Sequence, residues 1–131
     1  MSELEILQEF KTQLVTFFDE LIAQFPEEGE FVVVRLFISN QLVIADAIES
    51  FTHTINKNEG HHRKMVTSRD EDFFLKHDIF SSLGKQNVNH FKKLWISGRL
   101  DEDDKKIIWS WIDTFIFLTD KWAKQKGLTT K

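Results

Sequence analysis

Apolar residues recur every three and four positions from the first turn of the chain onward. Leu4, Leu7, Phe10, Leu14, Phe17, Phe18, Leu21, Ile22 and Phe25 share one half of a helical wheel, and Glu5, Gln8, Glu9, Thr12, Gln13, Thr16, Asp19 and Glu20 the other. The pattern predicts a helix over about 3–25. Ser2-Glu3-Leu4-Glu5 has the form of a capping box, in which the serine hydroxyl and the Glu5 carboxylate each accept the other residue's backbone N–H. Phe25-Pro26 ends the helix, because the residue before proline avoids the α region.

Phe31-Val32-Val33-Val34-Arg35-Leu36-Phe37-Ile38 is apolar on every side except at Arg35. Three valines favour strand locally, but there is no two-residue alternation and no second such run to pair with. The segment is expected to be a largely buried helix. A third helix follows over 42–57, with Ile44, Ala45, Ile48, Phe51, Thr52 and Ile55 on its inner side. Residues 56–64 are the most polar stretch and contain Gly60, as an exposed loop would. Ser68-Arg69-Asp70-Glu71 has the form of a second capping box, for a short helix ending near His77. Residues 79–86 read as irregular. Asn87 can cap a helix carrying Val88, Phe91, Leu94 and Trp95, closed by Ser97-Gly98 with Leu100 as its apolar contact.

The last helix opens on Asp101-Glu102-Asp103-Asp104 and closes near Lys121, Lys124 and Lys126, so both ends carry the charge its dipole favours. Its apolar surface is unusually wide. Ile107, Ile108, Trp111, Phe115, Leu118 and Trp122 fill an arc of about 100°, Trp109, Ile112 and Ile116 widen it to about 200°, and Phe117 lies outside it. Either neighbours cover this helix on two sides, or Trp109, Ile112, Ile116 and Phe117 form an exposed patch for a partner or a second copy. The pattern as a whole predicts an all-α, compact single domain of five to six helices over residues 1–126, with the long first and last helices packed together. A short polar tail follows at 127–131.

Composition narrows the chemistry. The chain has 131 residues with 13 phenylalanines, four tryptophans and no cysteine. Disulfides, thiolate nucleophiles and Cys-ligated metals are therefore excluded. No apolar run approaches the ~20 residues of a membrane span, and the acidic start lacks the basic region of a signal peptide, so a cytosolic or nuclear compartment is expected. Net charge is −4 but unevenly spread, since residues 1–30 hold eight acids and one base, and residues 31–100 hold ten bases and seven acids. An acidic first helix can thus pack near a basic middle segment, or simply present a solvated acidic face.

Five histidines, His53, His61, His62, His77 and His90, show no metal-binding spacing. Asp70, Asp72, His77 and Asp78 form the densest cluster of hard ligands but lack the order of a calcium loop. Asp101–Asp104 is explained by the helix dipole. No glycine-rich phosphate loop and no nucleophile elbow is present. No catalytic residue and no cofactor is expected. The expected function is protein–protein interaction, including self-association, through Trp109, Ile112, Ile116 and Phe117 together with the acidic face of the first helix. The alternative is nucleic-acid association through Arg63, Lys64, Arg69, Lys92, Lys93 and Arg99, which lie beside aromatic residues. Convergence of those bases on one surface would favour nucleic acid, and dispersal would favour the interaction module.

Three sets of residues together resemble small helical proteins encoded by nucleocytoplasmic large DNA viruses, including giant and algal viruses. They are Leu7-Gln8-Glu9-Phe10 with Phe17-Phe18-Asp19-Glu20-Leu21-Ile22 and Phe25-Pro26; Arg69-Asp70-Glu71-Asp72-Phe73-Phe74-Leu75; and Ile107-Ile108-Trp109-Ser110-Trp111 with Leu118-Thr119-Asp120-Lys121. The resemblance spans most of the chain through apolar, structural motifs. It implies a viral structural or accessory protein of the host cytoplasm or the virus particle, and it supplies no catalytic residue.

Overall fold

The first helix forms where the apolar period is most regular. In the computed structural model, which describes residues 2–77 and 80–127, it runs as α1 (Glu3–Gln24). Its capping box is made: Glu5 N–H donates to Ser2 Oγ at 3.1 Å, and Ser2 N–H donates to Glu5 Oε1 at 2.8 Å. Hydrogen bonds from the Ser2 backbone and hydroxyl hold the Glu5 carboxyl below its ordinary pKa. The chain continues as α2 (Glu30–Asn40), α3 (Ile44–Thr67), α4 (Glu71–Lys76), a 3₁₀ turn (Ser81–Leu83), α5 (Lys85–Ile96) and α6 (Glu102–Gln125). The fold is all-α, with six helices and no strand among the described residues.

Helix α6 packs on both α1 and α3, which also touch each other. Its centre is Phe115, which is fully buried. The Phe115 ring centroid lies 5.8 Å from Phe10, 5.9 Å from Phe17, 6.0 Å from Phe80 and 6.1 Å from Trp111. Phe80 in turn stacks on Phe51 of α3 at 5.3 Å. A second aromatic group seats α4, with Phe74 5.1 Å from Trp95 and 5.2 Å from Trp109. Edge-to-face and tilted contacts of this kind add to the area these rings bury.

Several local expectations are corrected. Leu4 is exposed and Ile6, four residues before Phe10, takes the core position. Helix α2 forms as expected but is not largely buried: Phe31, Val34 and Ile38 face inward, whereas Val32, Val33 and Leu36 do not. On α3 it is Ala47, not Ala45, that is buried. The expected loop over 56–64 shrinks to a break at 57–60, where Asn58, Glu59 and Gly60 take φ of 54°, 61° and 77°. Such left-handed geometry suits asparagine and glycine, and it kinks α3 into two helical limbs, the second of which starts at His61.

The cap of α4 is Asp70, which accepts from Phe73 N–H at 3.0 Å, because Arg69 has φ 58° and Ser68 belongs to the end of α3. Helix α5 starts at Lys85, three residues earlier than an Asn87 cap requires, and Asn87 Nδ2 donates back to the Leu83 carbonyl at 2.7 Å. At α6 the acids do more than meet a dipole. Asp101 and Asp104 exchange hydrogen bonds as a capping box, at 2.8 and 3.1 Å. Gly98 and Gly127 take positive φ after α5 and α6. Within the expected tail and irregular segment, residues 128–131 and 78–79 lie outside the described residues.

Phe115→Ala should destabilise the chain by roughly 3–5 kcal/mol, the range for emptying a buried aromatic site. Urea unfolding followed by tryptophan fluorescence reads this directly, and a loss under about 1 kcal/mol would show that Phe115 does not organise the core.

Candidate functional site

The structure separates the four residues expected to form a partner patch on α6. Trp109, Ile112 and Ile116 are buried, and only Phe117 is exposed. Trp109 is enclosed by Phe74, by Trp95 at 5.5 Å and by the Arg69 guanidinium 5.5 Å from its ring centroid. Ile112 has no exposed surface. The exposed Phe117 ring stands alone under the Lys121 ammonium, 5.0 Å away. Of the two readings of the wide α6 surface, the central helix is the one observed, and a four-residue partner patch on α6 is not what the chain presents.

Of the six candidate bases, the three arginines are each engaged by carboxylates of the same chain. Arg63 forks onto Asp120 at 2.9 and 2.6 Å and also donates to Asn56 at 2.9 Å. Arg69 forks onto Asp113 at 3.0 and 2.8 Å, and these bonds hold its pKa above the ordinary arginine value. Arg63 thereby ties the second limb of α3 to α6, and Arg69 ties the α3–α4 turn to it. Arg99 pairs with Glu27 and Glu28 of the α1–α2 turn and lies over the Phe25 ring. Each arginine thus meets its carboxylate within the chain. Lys64 and Lys93 are exposed, while Lys92 is half-buried at the edge of a cavity. The acids of the first thirty residues do reach basic partners of the middle segment, through Asp19 with Arg35 and Glu27 and Glu28 with Arg99.

The apolar surplus lies instead on α2. Val32, Val33 and Leu36 are 43%, 55% and 50% exposed on the side of the helix away from Phe31, Val34 and Ile38. Helix α2 packs on α1 and on part of α5, which covers one side of it. The face has opposite charges near its two ends. Glu30 lies in the first turn, and Lys11 Nζ donates to the Ser39 carbonyl at 3.1 Å near the last. The signal was in the sequence: an eleven-residue helix that is apolar nearly all round needs neighbours on every side, and a peripheral one has them on one side only.

A second cluster surrounds Phe73. Its ring centroid lies 4.2 Å from His77, 4.9 Å from His62 and 5.1 Å from His61. His62 is buried, and its Nδ1 has no hydrogen-bond partner among the described residues. Burial, then the nearby Lys57, His77 and His61, hold the His62 pKa below its ordinary value. Among the described residues no three histidine or carboxylate side chains are arranged to hold a metal ion. Asp70 is committed as the α4 cap, and Asp78 of the expected acidic cluster lies outside the described residues. Glu71 accepts from Trp95 Nε1 at 3.0 Å and from Lys105 Nζ at 3.3 Å, which holds its pKa below the usual carboxylate value. No single helix among the described residues is long and apolar enough to cross a membrane.

No family model, curated protein or solved structure matches the chain.

The lowered His62 pKa fixes the sign of an acid response. The unfolded chain takes up a proton near the ordinary imidazole value of 6.5, while the folded chain resists it. The stabilisation is present above that pH and is lost as pH falls toward the folded value. The urea midpoint should therefore drop between about pH 7.5 and 5.5, and drop less in His62→Gln. Equal pH slopes for the two proteins would contradict this assignment.

Proposed function

We propose that this chain is a small non-enzymatic interaction module whose contact surface is the outer face of α2, and that the partner on that face is a second copy of the chain. The observation that carries the reading is the exposure of Val32, Val33 and Leu36 on one side of a helix whose other side is in the core. Contiguous apolar surface on a folded chain is costly to leave in water and marks contact sites.

A second copy suits this face because the charges near its ends are complementary. Two α2 helices packed antiparallel about Leu36 bring Glu30 of one copy toward the end of α2 in the other, where Lys11 sits. The antiparallel arrangement also opposes the helix dipoles favourably. An isologous contact of this kind closes on itself as a dimer. An eleven-residue helix is short, at ~16 Å. The contact is therefore small and reversible, below the standard interface of about 800 Å2 per partner.

The nucleic-acid reading has less support, since Arg63, Arg69 and Arg99 are each engaged by carboxylates of the same chain. The viral setting implied by the resemblance remains part of the proposal and rests on the apolar motifs alone.

Sedimentation velocity over about 10 µM to 1 mM should show the mean mass rising with concentration. Leu36→Asp should hold the chain monomeric with unchanged helicity, whereas Phe117→Asp should leave the association intact. Monomeric wild type across that range, or association that survives Leu36→Asp, would overturn the proposal.

A further inference from the structure

The second limb of α3, over 61–67, rests on the body of the fold through few contacts. Its buried side chains are His62 and Val66. Arg63 pairs with Asp120 where both are partly in water, and a pair of that kind adds little hold. The backbone enters the limb through the break at 57–60 and leaves it at Arg69, where φ is 58°. A short helical segment between two such joints, with so little apolar burial, is the kind that opens locally while the rest of a fold stays closed.

One of the two buried side chains is an imidazole. The His62 ring centroid lies 4.9 Å from Phe73, 5.5 Å from His77 and 6.5 Å from His61. A neutral ring fits this place against Phe73, whereas an imidazolium would be a buried charge without a counter-ion. The groups whose charge bears on it are Lys57 and His61 of α3 and His77 at the end of α4, and all three are bases. The acids of the elements around it are committed elsewhere. Asp113 and Asp120 of α6 take Arg69 and Arg63, Asp70 caps α4, and Glu71 accepts from Trp95 and Lys105. Glu59 in the break and Asp72 of α4 are exposed or half-exposed to solvent.

From the two joints, the sparse burial and the basic surroundings, we propose that the second limb of α3 is an acid-operated latch: neutral His62 holds it closed on Phe73, and a proton on His62 opens it about the break at 57–60. Opening uncovers Val66 and one side of the Phe73 ring. Helix α4 stays seated, because Phe74 is buried against Trp95 and Trp109. Burial, then the three basic neighbours, hold the His62 pKa below its ordinary value, so release falls on the acid side of a free imidazole. The acid response of the chain is thus local before it is global. The latch lies on α3 and α4, away from the outer face of α2, so it stands or falls independently of self-association.

Peptide-resolved amide hydrogen exchange of the full chain tests this, with rates corrected for the intrinsic pH dependence of exchange. Between about pH 6.5 and 5.5, protection over 61–67 should fall about tenfold, the change that uptake of one proton on opening produces. Protection of α1 and α6 should hold over the same interval. His62→Gln, which carries no titrating group, should remove the pH dependence over 61–67, whereas His53→Gln on the first limb should leave it in place. The wild-type profile is decisive even where the His62 variant fails to fold. Unchanged protection over 61–67, or an equal loss across α1, α6 and the limb, would overturn the proposal. So would a pH dependence of the limb that persists in folded His62→Gln protein.

Discussion

The fold depends on the burial of one ring. Phe115 has no exposed surface, and its neighbours Phe10, Phe17 and Phe80 come from α1 and from the approach to the 3₁₀ turn. Phe80 in turn stacks on Phe51 of α3, so α6 packs on both α1 and α3, which also meet each other through Phe10 and Phe51. That placement consumes the breadth of the apolar surface on α6. Trp109, Ile112 and Ile116 go into the core because a central helix has neighbours on two sides. The same arrangement leaves α2 at the edge, held on one side by α1 and α5. The exposed apolar face of α2 is thus the counterpart of the buried breadth of α6.

Charge follows the same geometry. Once α6 is central, Asp113 and Asp120 on its outward side meet Arg69 of the α3–α4 turn and Arg63 of the second limb of α3. These are half-exposed pairs, each worth at most about 1 kcal/mol, and they orient α3 and α6 more than they hold them together. They also neutralise the bases that might otherwise have served a polyanion. The cluster of His61, His62 and His77 around Phe73 is different in kind. His62 is buried without an acid beside it, so it contributes to stability only while neutral.

Helix existence and class were legible in the sequence because burial imposes a period. The capping box at Ser2 and Glu5, the stop at Phe25-Pro26 and the glycine after α5 were readable from residue chemistry alone. The local errors have physical causes. Asp70 displaced Ser68 as a cap because Arg69 adopts a left-handed conformation that no sequence rule assigns to arginine. Leu4 is exposed while Ile6, in the same turn of α1, is buried, because the core side of that turn is set by the neighbours packed on it and not by the period alone. The exposed apolar face was expected on α6 and lies on α2, because periodicity measures how much apolar surface a helix has, and tertiary packing decides how much of it is covered. Both α2 and α6 have more than one face should need, and only the position of Phe115 tells them apart.

The central claim is that the exposed face of α2, and not that of α6, meets a second copy of the chain. The absence of native cysteine permits a clean test, in which Leu36→Cys and Phe117→Cys are each oxidised mildly at a concentration where the chain associates. A disulfide requires Cα atoms within about 7 Å, so it reports a direct contact. The account predicts that the position-36 variant becomes a covalent dimer and that the position-117 variant forms no covalent dimer. Cross-linking at 117 with none at 36 would contradict it.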